Sequence, residues 1–309
     1  MTPPDRPRGR WRRTAGYLNW LFNPLHGLDA PGIYELLSTS SATEQGLYLN
    51  LGYWQRATSI DEASQDLARL VAGTARMGPG DSVLDCGFGF GDQDILWAQS
   101  FRPDRITGLN ITASQVALAR QRVAEAGLAD RIDLREGSAT ATPFARERFD
   151  VVVALECAFH FHTRVRFFQE AWRVLRPGGR LVMADIIPEV PEAATAEGSR
   201  QPISWRLVAA KFAIPAENAY PRPVYASKLT GSGFDAVQVE SIREAVYAPL
   251  HRYLRSHPSS LRRLHPLAQL AARFALQLDA DVVYRGLDYV LAAAVKPVAA
   301  GQPAALQPA

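Results

Sequence analysis

Cysteine is scarce in this sequence, with only Cys86 and Cys157 among 309 residues. Both lie in apolar, strand-like runs, which favours buried free thiols over a disulfide framework. No cysteine or histidine spacing is typical of a metal site, so we expect no metal. A large excess of one charge is also missing, since the formal net charge is +3. We therefore expect no nucleic-acid partner, because such proteins usually carry a concentrated basic face.

Long hydrophobic runs are missing as well. No window reaches the roughly 20 apolar residues that a membrane-spanning helix needs. The arginine-rich start superficially suggests a targeting signal, but Asn, Pro and His residues interrupt the stretch 18–28 that follows and make it a poor signal core. The sequence therefore predicts a cytoplasmic protein without a membrane span.

Composition and pattern divide the chain into four parts. These are a flexible basic arm, an N-terminal helical cap, a main domain and a disordered tail, and they cover residues 1–13, 14–79, 80–297 and 298–309. Within the cap, Ser59 and Glu62 have the spacing of a capping box and predict the start of a helix. The arm and the tail are too rich in Pro, Arg or Ala to form a core of their own.

The main domain alternates strand-like and helical segments. The predicted strands are Ser82–Cys86, Arg105–Asn110, Arg131–Glu136, Phe149–Glu156, Arg180–Ile186, Phe234–Ile242 and Tyr289–Val295. This order predicts an α/β fold with a Rossmann-like, seven-stranded, mostly parallel sheet and helices on both faces. Two irregular insertions, residues 188–223 and 246–285, are expected to fold over the active site as lids, because long excursions from a compact domain are usually functional.

A glycine-rich loop follows the first predicted strand and has the sequence Asp85-Cys86-Gly87-Phe88-Gly89-Phe90-Gly91. Glycines let the backbone approach a ligand closely, and the helix that follows offers free N–H groups. A single glycine loop is a weak signal, since dinucleotide-binding folds carry G-x-G-x-x-G at this place. The spacing here is G-x-G-x-G with an acid ahead of it, which favours a nucleoside ligand without a pyrophosphate.

Seven stretches together resemble the class I S-adenosylmethionine-dependent methyltransferases, and in particular the erythromycin-type macrolide sugar O-methyltransferases of the natural-product branch. They are Leu49–Trp54, Val83–Gly91, Gly137–Phe144, Leu155–Phe161, Arg173–Gly179, Asp185–Pro188 and Ile214–Asn218. These motifs are specific for a methyltransferase and much less specific for the acceptor of the methyl group.

The resemblance implies that S-adenosylmethionine is the cofactor. Gly87, Gly89 and Gly91 would face its methionine part, and Asp85 would support the loop. Tyr53 would provide an aromatic wall for the sulfonium, whose positive charge is attracted to aromatic faces. Alternatively, Tyr53 anchors the N-terminal segment on the sheet.

Other positions match the ribose and adenine ends of the cofactor site. Asn110 stands where the family usually carries an acid that binds the ribose hydroxyls; an amide can also bind hydroxyls, but without a charge-assisted bond. Ser138 and Ala139 match positions that line the adenine. Gln115 matches a position near the cofactor, or it forms a capping box with Thr112.

Glu156, His160 and Asp185 follow the fourth and fifth predicted strands and are the candidate catalytic residues. Carboxyl ends of neighbouring parallel strands meet at one edge of a sheet, where ligands bind. His160 is therefore placed to take a proton from an acceptor hydroxyl, with Asp185 orienting its ring. The alternative is that His160 is a structural loop histidine and Asp185 a helix cap.

Three functions agree with these residues. The first is transfer of a methyl group to a hydroxyl of a secondary metabolite, such as a polyketide or its sugar, with His160 as base. The second is C-methylation of a terpenoid or prenyl diphosphate alkene, in which Glu156 and aromatic residues stabilise a carbocation. Four arginines of the second insertion would then bind the diphosphate, or they form a solvated basic helix face: Arg252, Arg255, Arg262 and Arg263. The third is a pericyclase that binds the cofactor without methyl transfer. Each implies a small-molecule partner, and a homodimer is compatible with all three.

Overall fold

The computed structural model describes residues 43–189, 202–262 and 266–298. Several predicted parts lie outside these residues. They are the arm, the cap before residue 43, nearly all of the tail, and residues 190–201 and 263–265 of the two insertions. Within the described part of the cap, helix α1 spans Ile60–Thr74. As the sequence predicts, the Ser59 hydroxyl accepts the Glu62 N–H at 3.2 Å, so the helix begins with a satisfied cap.

The main domain alternates strands and helices along the chain. The strands are β1 Ser82–Cys86, β2 Arg105–Asn110, β3 Ile132–Glu136, β4 Phe149–Leu155, β5 Leu175–Pro188, β6 Asp235–Ser241 and β7 Leu287–Val295. The helices are α2 Asp92–Ser100, α3 Ala113–Glu125, α4 Arg164–Val174, α5 Ile203–Lys211, α6 Arg222–Gly231, α7 Tyr247–Ser256, α8 Pro266–Ala275 and α9 Ala280–Val283. Helices α5, α7, α8 and α9 belong to the two predicted insertions.

The seven strands form one sheet in the order β3-β2-β1-β4-β5-β7-β6. Strands β1 to β5 pair in parallel, and β7 runs antiparallel between β5 and β6. The predicted Rossmann-like, mostly parallel sheet is therefore confirmed. The strand order reverses between β1 and β4, and in such sheets ligands bind outside the carboxyl ends of the strands at this point.

Both faces of the sheet are buried, because neighbouring residues of a strand point to opposite faces. Val83 belongs to the cluster that contains residues of α1, α2 and α3, whereas Leu84 belongs to the cluster that contains residues of α4 and α6. Helices therefore pack on both faces of the sheet at β1, and in such sheets the carboxyl ends of the strands are the place for a ligand. No helix of the described residues is long and apolar enough to cross a membrane.

Candidate active site

A cavity lies at the carboxyl ends of β1, β2, β3 and β4, where the strand order reverses. Its walls come from the loops after these strands and from residues 47–50, which precede α1. The predicted residues Gly87, Gly89, Asn110, Gln115, Ser138, Ala139, Glu156 and His160 all line it. The structure thus brings most of the predicted site residues around one space.

The glycine loop forms the floor of the cavity with its backbone. Gly87 has φ +89°, in the region that only glycine adopts at little cost. A Cβ atom at Gly87 would lie 2.6 Å from the Cys157 Sγ, so the loop and the turn after β4 meet without room for a side chain. Gly91 ends the loop as the N-cap residue of α2. The loop therefore offers backbone groups to a ligand.

Asp85 lies beneath this loop, fully buried, and is not among the residues that line the cavity. Its Oδ2 accepts a hydrogen bond from the Gln93 side chain at 2.8 Å, and Gln93 does line the cavity. Burial raises the pKa of Asp85 to about 7, and burial beside Asp85 raises the pKa of Asp94 well above its usual range. Gln93 is thus a site residue that sequence reasoning missed, although its place in the first turn after the loop was a usable signal.

Asn110 and Gln115 form a pair of amides at the end of β2. The Asn110 Nδ2 donates to the Gln115 Oε1 at 2.8 Å, and the Asn110 Oδ1 accepts the Thr112 N–H at 3.1 Å. The Thr112 side chain makes no cap bond to α3, so the alternative of a capping box with Gln115 is wrong. Within the described part of the chain, the buried Gln115 Nε2 has no hydrogen-bond partner, which leaves a donor at the cavity wall.

A segment that we call the strap, residues 44–54, closes one side of the cavity. Three carboxylates hold its backbone: Asp61 accepts N–H bonds from residues 44, 45 and 46, Asp92 accepts the Leu47 N–H, and Glu156 accepts the Leu51 N–H. Tyr48 lines the cavity from the strap. Tyr53 instead lies along a shallow groove beside α1. The structure thus places Tyr53 where it anchors the segment, and Tyr48 is the strap tyrosine at the cavity.

Glu156 follows β4 with φ +51°, a strained value for a residue other than glycine. Its Oε1 accepts both the Leu51 N–H, at 2.6 Å, and the hydroxyl of Tyr289 from β7. Burial raises the pKa of Glu156 to about 7. This carboxyl group therefore joins the strap, β4 and β7 at the cavity wall, and strained backbone of this kind clusters at functional sites.

His160 ends a short turn, Ala158–His160, and its buried ring lines the cavity. The ring makes a hydrogen bond with the backbone of Phe212, just after α5. Burial lowers the pKa of His160 to about 4, so the imidazole is neutral at pH 7. Its neighbour Phe159 packs against it with ring centroids 4.3 Å apart.

Asp185 was expected to orient the His160 ring, but the hydrogen bonds and ion pair of its carboxylate lie elsewhere. Oδ2 forms an ion pair with the Arg164 Nε at 2.8 Å and accepts the Tyr225 hydroxyl at 3.0 Å. Oδ1 accepts the Ile186 N–H at 2.9 Å. Asp185 and Arg164 are both fully buried, so Asp185 contributes to the site through Arg164, and the backbone of Phe212 is the partner of the ring.

Comparisons with known proteins agree with this geometry. Residues 84–183 match the family model described as a methyltransferase domain. The chain is 39% identical to erythromycin 3''-O-methyltransferase of Saccharopolyspora erythraea over 276 residues, which cover 85% of this chain and 89% of the relative. The chain belongs to the S-adenosylmethionine-dependent methyltransferases. The predicted resemblance is therefore confirmed.

Solved structures share the fold of this methyltransferase. The 4+2 cyclase SpnF superposes with a TM-score of 0.68 at 22% identity, covering 88% of this chain and 98% of that one. Geranyl diphosphate C-methyltransferase from Streptomyces coelicolor A3(2), solved with S-adenosyl-L-homocysteine, gives a TM-score of 0.62 at 17% identity, covering 95% and 100%. At these identities the likeness concerns the fold alone.

The residues of the cavity fit the cofactor of this family. Gly87 and Gly89 line the cavity without side chains, so a ligand there contacts the loop backbone directly. The buried Gln115 Nε2 lacks a partner in the described ranges and is available to a ribose hydroxyl or another acceptor. No group of three His, Cys, Asp or Glu side chains in those ranges is arranged to hold a metal ion. The methyltransferase thus has a site for a nucleoside with an attached amino acid.

Proposed function

We propose that this methyltransferase methylates a hydroxyl group of a secondary metabolite, such as a polyketide or its sugar, with His160 as the base. The observation that carries the proposal is that a buried neutral imidazole lines the same cavity as the glycine loop. The relative at 39% identity is an O-methyltransferase by name, which supports the same chemistry for this chain. S-adenosylmethionine, when bound, supplies the electrophilic methyl group.

The residues of the chain supply position and proton transfer. Holding the acceptor hydroxyl in line with the methyl group is worth roughly 7–11 kcal/mol in well-oriented reactions. The His160 ring would accept the hydroxyl proton as the new C–O bond forms and pass it to water afterwards, and such a base contributes about 10²–10⁴-fold. Since its pKa is about 4, the ring needs no prior deprotonation at neutral pH. The backbone of Phe212 would hold the ring in one orientation.

The arginines of the C-methylation hypothesis give it little support. Arg252, Arg255 and Arg262 are exposed on α7 and the turn after it, as expected for a solvated basic face, and Arg263 lies outside the described residues. The likeness to a diphosphate C-methyltransferase and to a cyclase concerns the fold alone. A cytoplasmic location belongs to the same proposal and is supported by two free thiols, Cys86 and Cys157, which suit a reducing compartment.

The test is a screen for S-adenosylhomocysteine release with glycosylated polyketides, phenols and prenyl diphosphates as acceptors, followed by His160→Ala with the best acceptor. We expect release with a hydroxylated polyketide or its glycoside, and a fall in kcat of about 10²–10⁴-fold in the variant. The dissociation constant for S-adenosylhomocysteine should stay within about twofold, because a base acts on the acceptor. Unchanged kcat would refute the role of His160, and release with prenyl diphosphates alone would refute the O-methylation.

A further inference from the structure

A buried amide holds the turn that carries His160. Asn218 lies in the turn Ala216–Asn218, after α5, and its side chain is fully buried. Its Nδ2 donates to the Phe159 carbonyl at 3.0 Å and to the Phe161 carbonyl at 2.8 Å. These are the two residues on either side of His160. Both N–H groups of one amide thus hold the backbone around the proposed base.

The rest of Asn218 is held by Arg164, the first residue of α4. The Asn218 Oδ1 accepts the Arg164 N–H at 2.8 Å, and the Asn218 carbonyl accepts a guanidinium N–H at 2.7 Å. Arg164 in turn forms the buried ion pair with Asp185 at the end of β5. Every hydrogen-bonding group of the Asn218 side chain is therefore used, and the assembly links the base to two elements of the central domain.

The geometry points to Asn218 as a positioning residue for His160, and this inference rests on the proposed function of His160 as base. Only a short side chain with two donors and one acceptor can bind both carbonyls and the Arg164 N–H at once: aspartate lacks the donors, and glutamine is longer by one methylene. Because Asn218 also belongs to the inserted segment, it fixes the turn of the base relative to that segment. Asp185, through Arg164, supports the same arrangement.

The first experiment asks whether the amide holds the turn in solution. Asn218→Asp keeps the shape and the acceptor for Arg164 but loses both donors, and Asn218→Ala removes all of these bonds. We expect faster amide hydrogen exchange in residues 157–163 of both variants, and unchanged exchange in the loop 83–91. The matched control is Asp81→Asn, which breaks the ion pair of Asp81 with Arg180 at the opposite edge of the sheet. It should lower stability without changing exchange at 157–163.

The second experiment asks whether Asn218 acts through His160. We expect Asn218→Asp to lower kcat about 10- to 100-fold, since a small misplacement of a reacting group has effects of this size, with cofactor affinity unchanged. In a His160→Ala background the same substitution should have almost no further effect, because residues that act as a unit are not additive. Asp81→Asn should leave kcat unchanged in both backgrounds.

The outcomes separate this inference from the function on which it rests. Equal losses of kcat from Asn218→Asp with and without His160 would overturn the positioning role and leave the base intact. Unchanged exchange at residues 157–163 in the two Asn218 variants would also overturn it, whatever their activity. Full turnover of His160→Ala would instead overturn the base itself, and faster exchange in the Asn218 variants would then show a purely structural clamp.

Discussion

Asp61 holds the beginning of the strap beside the cavity with three hydrogen bonds. Its Oδ2 accepts the Glu44 N–H at 2.7 Å, and its Oδ1 accepts the N–H groups of Gln45 and Gly46 at 3.1 and 2.8 Å. Asp61→Asn keeps the shape of the side chain but replaces one oxygen by an NH₂ group. At least one of the three bonds is then lost, and two N–H groups face each other. We predict that the closed strap loses stability and that the cofactor binds more weakly.

The size of the effect follows from the bond that is lost. A hydrogen bond to a charged group contributes about 1.5–3 kcal/mol, and these bonds are only partly buried, so we take about 2 kcal/mol for strap closure. Since about 1.4 kcal/mol corresponds to a factor of ten, the dissociation constant can rise by at most about 30-fold. If the closed strap of the wild type is much more stable than the open one, the variant strap also stays mostly closed, and the dissociation constant rises by less than this limit. We therefore expect an increase between about 3-fold and about 30-fold.

Titration calorimetry with S-adenosylhomocysteine measures this change directly. The matched control is Asp66→Asn on the same helix, because Asp66 pairs with the exposed Arg69 at 2.9 Å and, among the described residues, does not line the cavity. An exposed pair of this kind contributes at most about 1 kcal/mol, so the control should bind within about twofold of the wild type. Equal affinity of the Asp61 and Asp66 variants would refute the view that a carboxylate holds the strap closed over the cofactor.

Two further predictions concern the walls of the same cavity. Gly87→Ala should weaken S-adenosylhomocysteine binding at least about tenfold, because its Cβ would lie 2.6 Å from a thiol sulfur. Gly80→Ala is the control, since Gly80 has the same φ of +89° and no atom lies within 4 Å of its Cβ. Equal affinities of the two variants in calorimetry would refute the steric argument. The pKa of Glu156 is about 7 in the folded protein and 4.5 in an ordinary glutamate, so the folded protein binds this proton more tightly than the unfolded chain does. The free energy of unfolding should therefore fall by up to about 3 kcal/mol as the pH rises from 4.5 to 7. Denaturant titrations at several pH values should show that Glu156→Gln lacks this part of the pH dependence. The same dependence of unfolding free energy on pH in the variant and the wild type would contradict the prediction.

The sheet was predictable because its central strands, such as β1 and β4, are buried on both faces and appear as short apolar runs. The exception is β5, which begins at Leu175 rather than at the predicted Arg180. Leu175 pairs with Phe149, and the register then shifts before Arg180 pairs with Val151. The sequence around Pro177 has the pattern of a helix end followed by a turn. Strand β5 nevertheless begins before it, because Leu175 pairs with a residue of β4. Local patterns do not encode such a pairing.

Most residues that line the cavity were predictable, because they follow their strands within a few positions. The partners of these residues were not predictable in the same way. Gln93 intervenes between Asp85 and the cavity only because α2 turns back over β1, and Arg164 pairs with Asp185 across 21 positions of sequence. Such pairs depend on how helices pack on the sheet, which no motif or periodicity in one sequence states.

Glu156 shows how the geometry separates two chemistries that its sequence position leaves open. A carboxylate stabilises a carbocation when it is ionised. The Oε1 of Glu156 accepts two hydrogen bonds, from the strap and from Tyr289, and burial raises its pKa to about 7, which disfavours the ionised form relative to an ordinary carboxyl group. The same features suit a residue that joins the strap to β4 and β7. A neutral imidazole lines the same cavity, and it is the base that we propose for methylation of a hydroxyl.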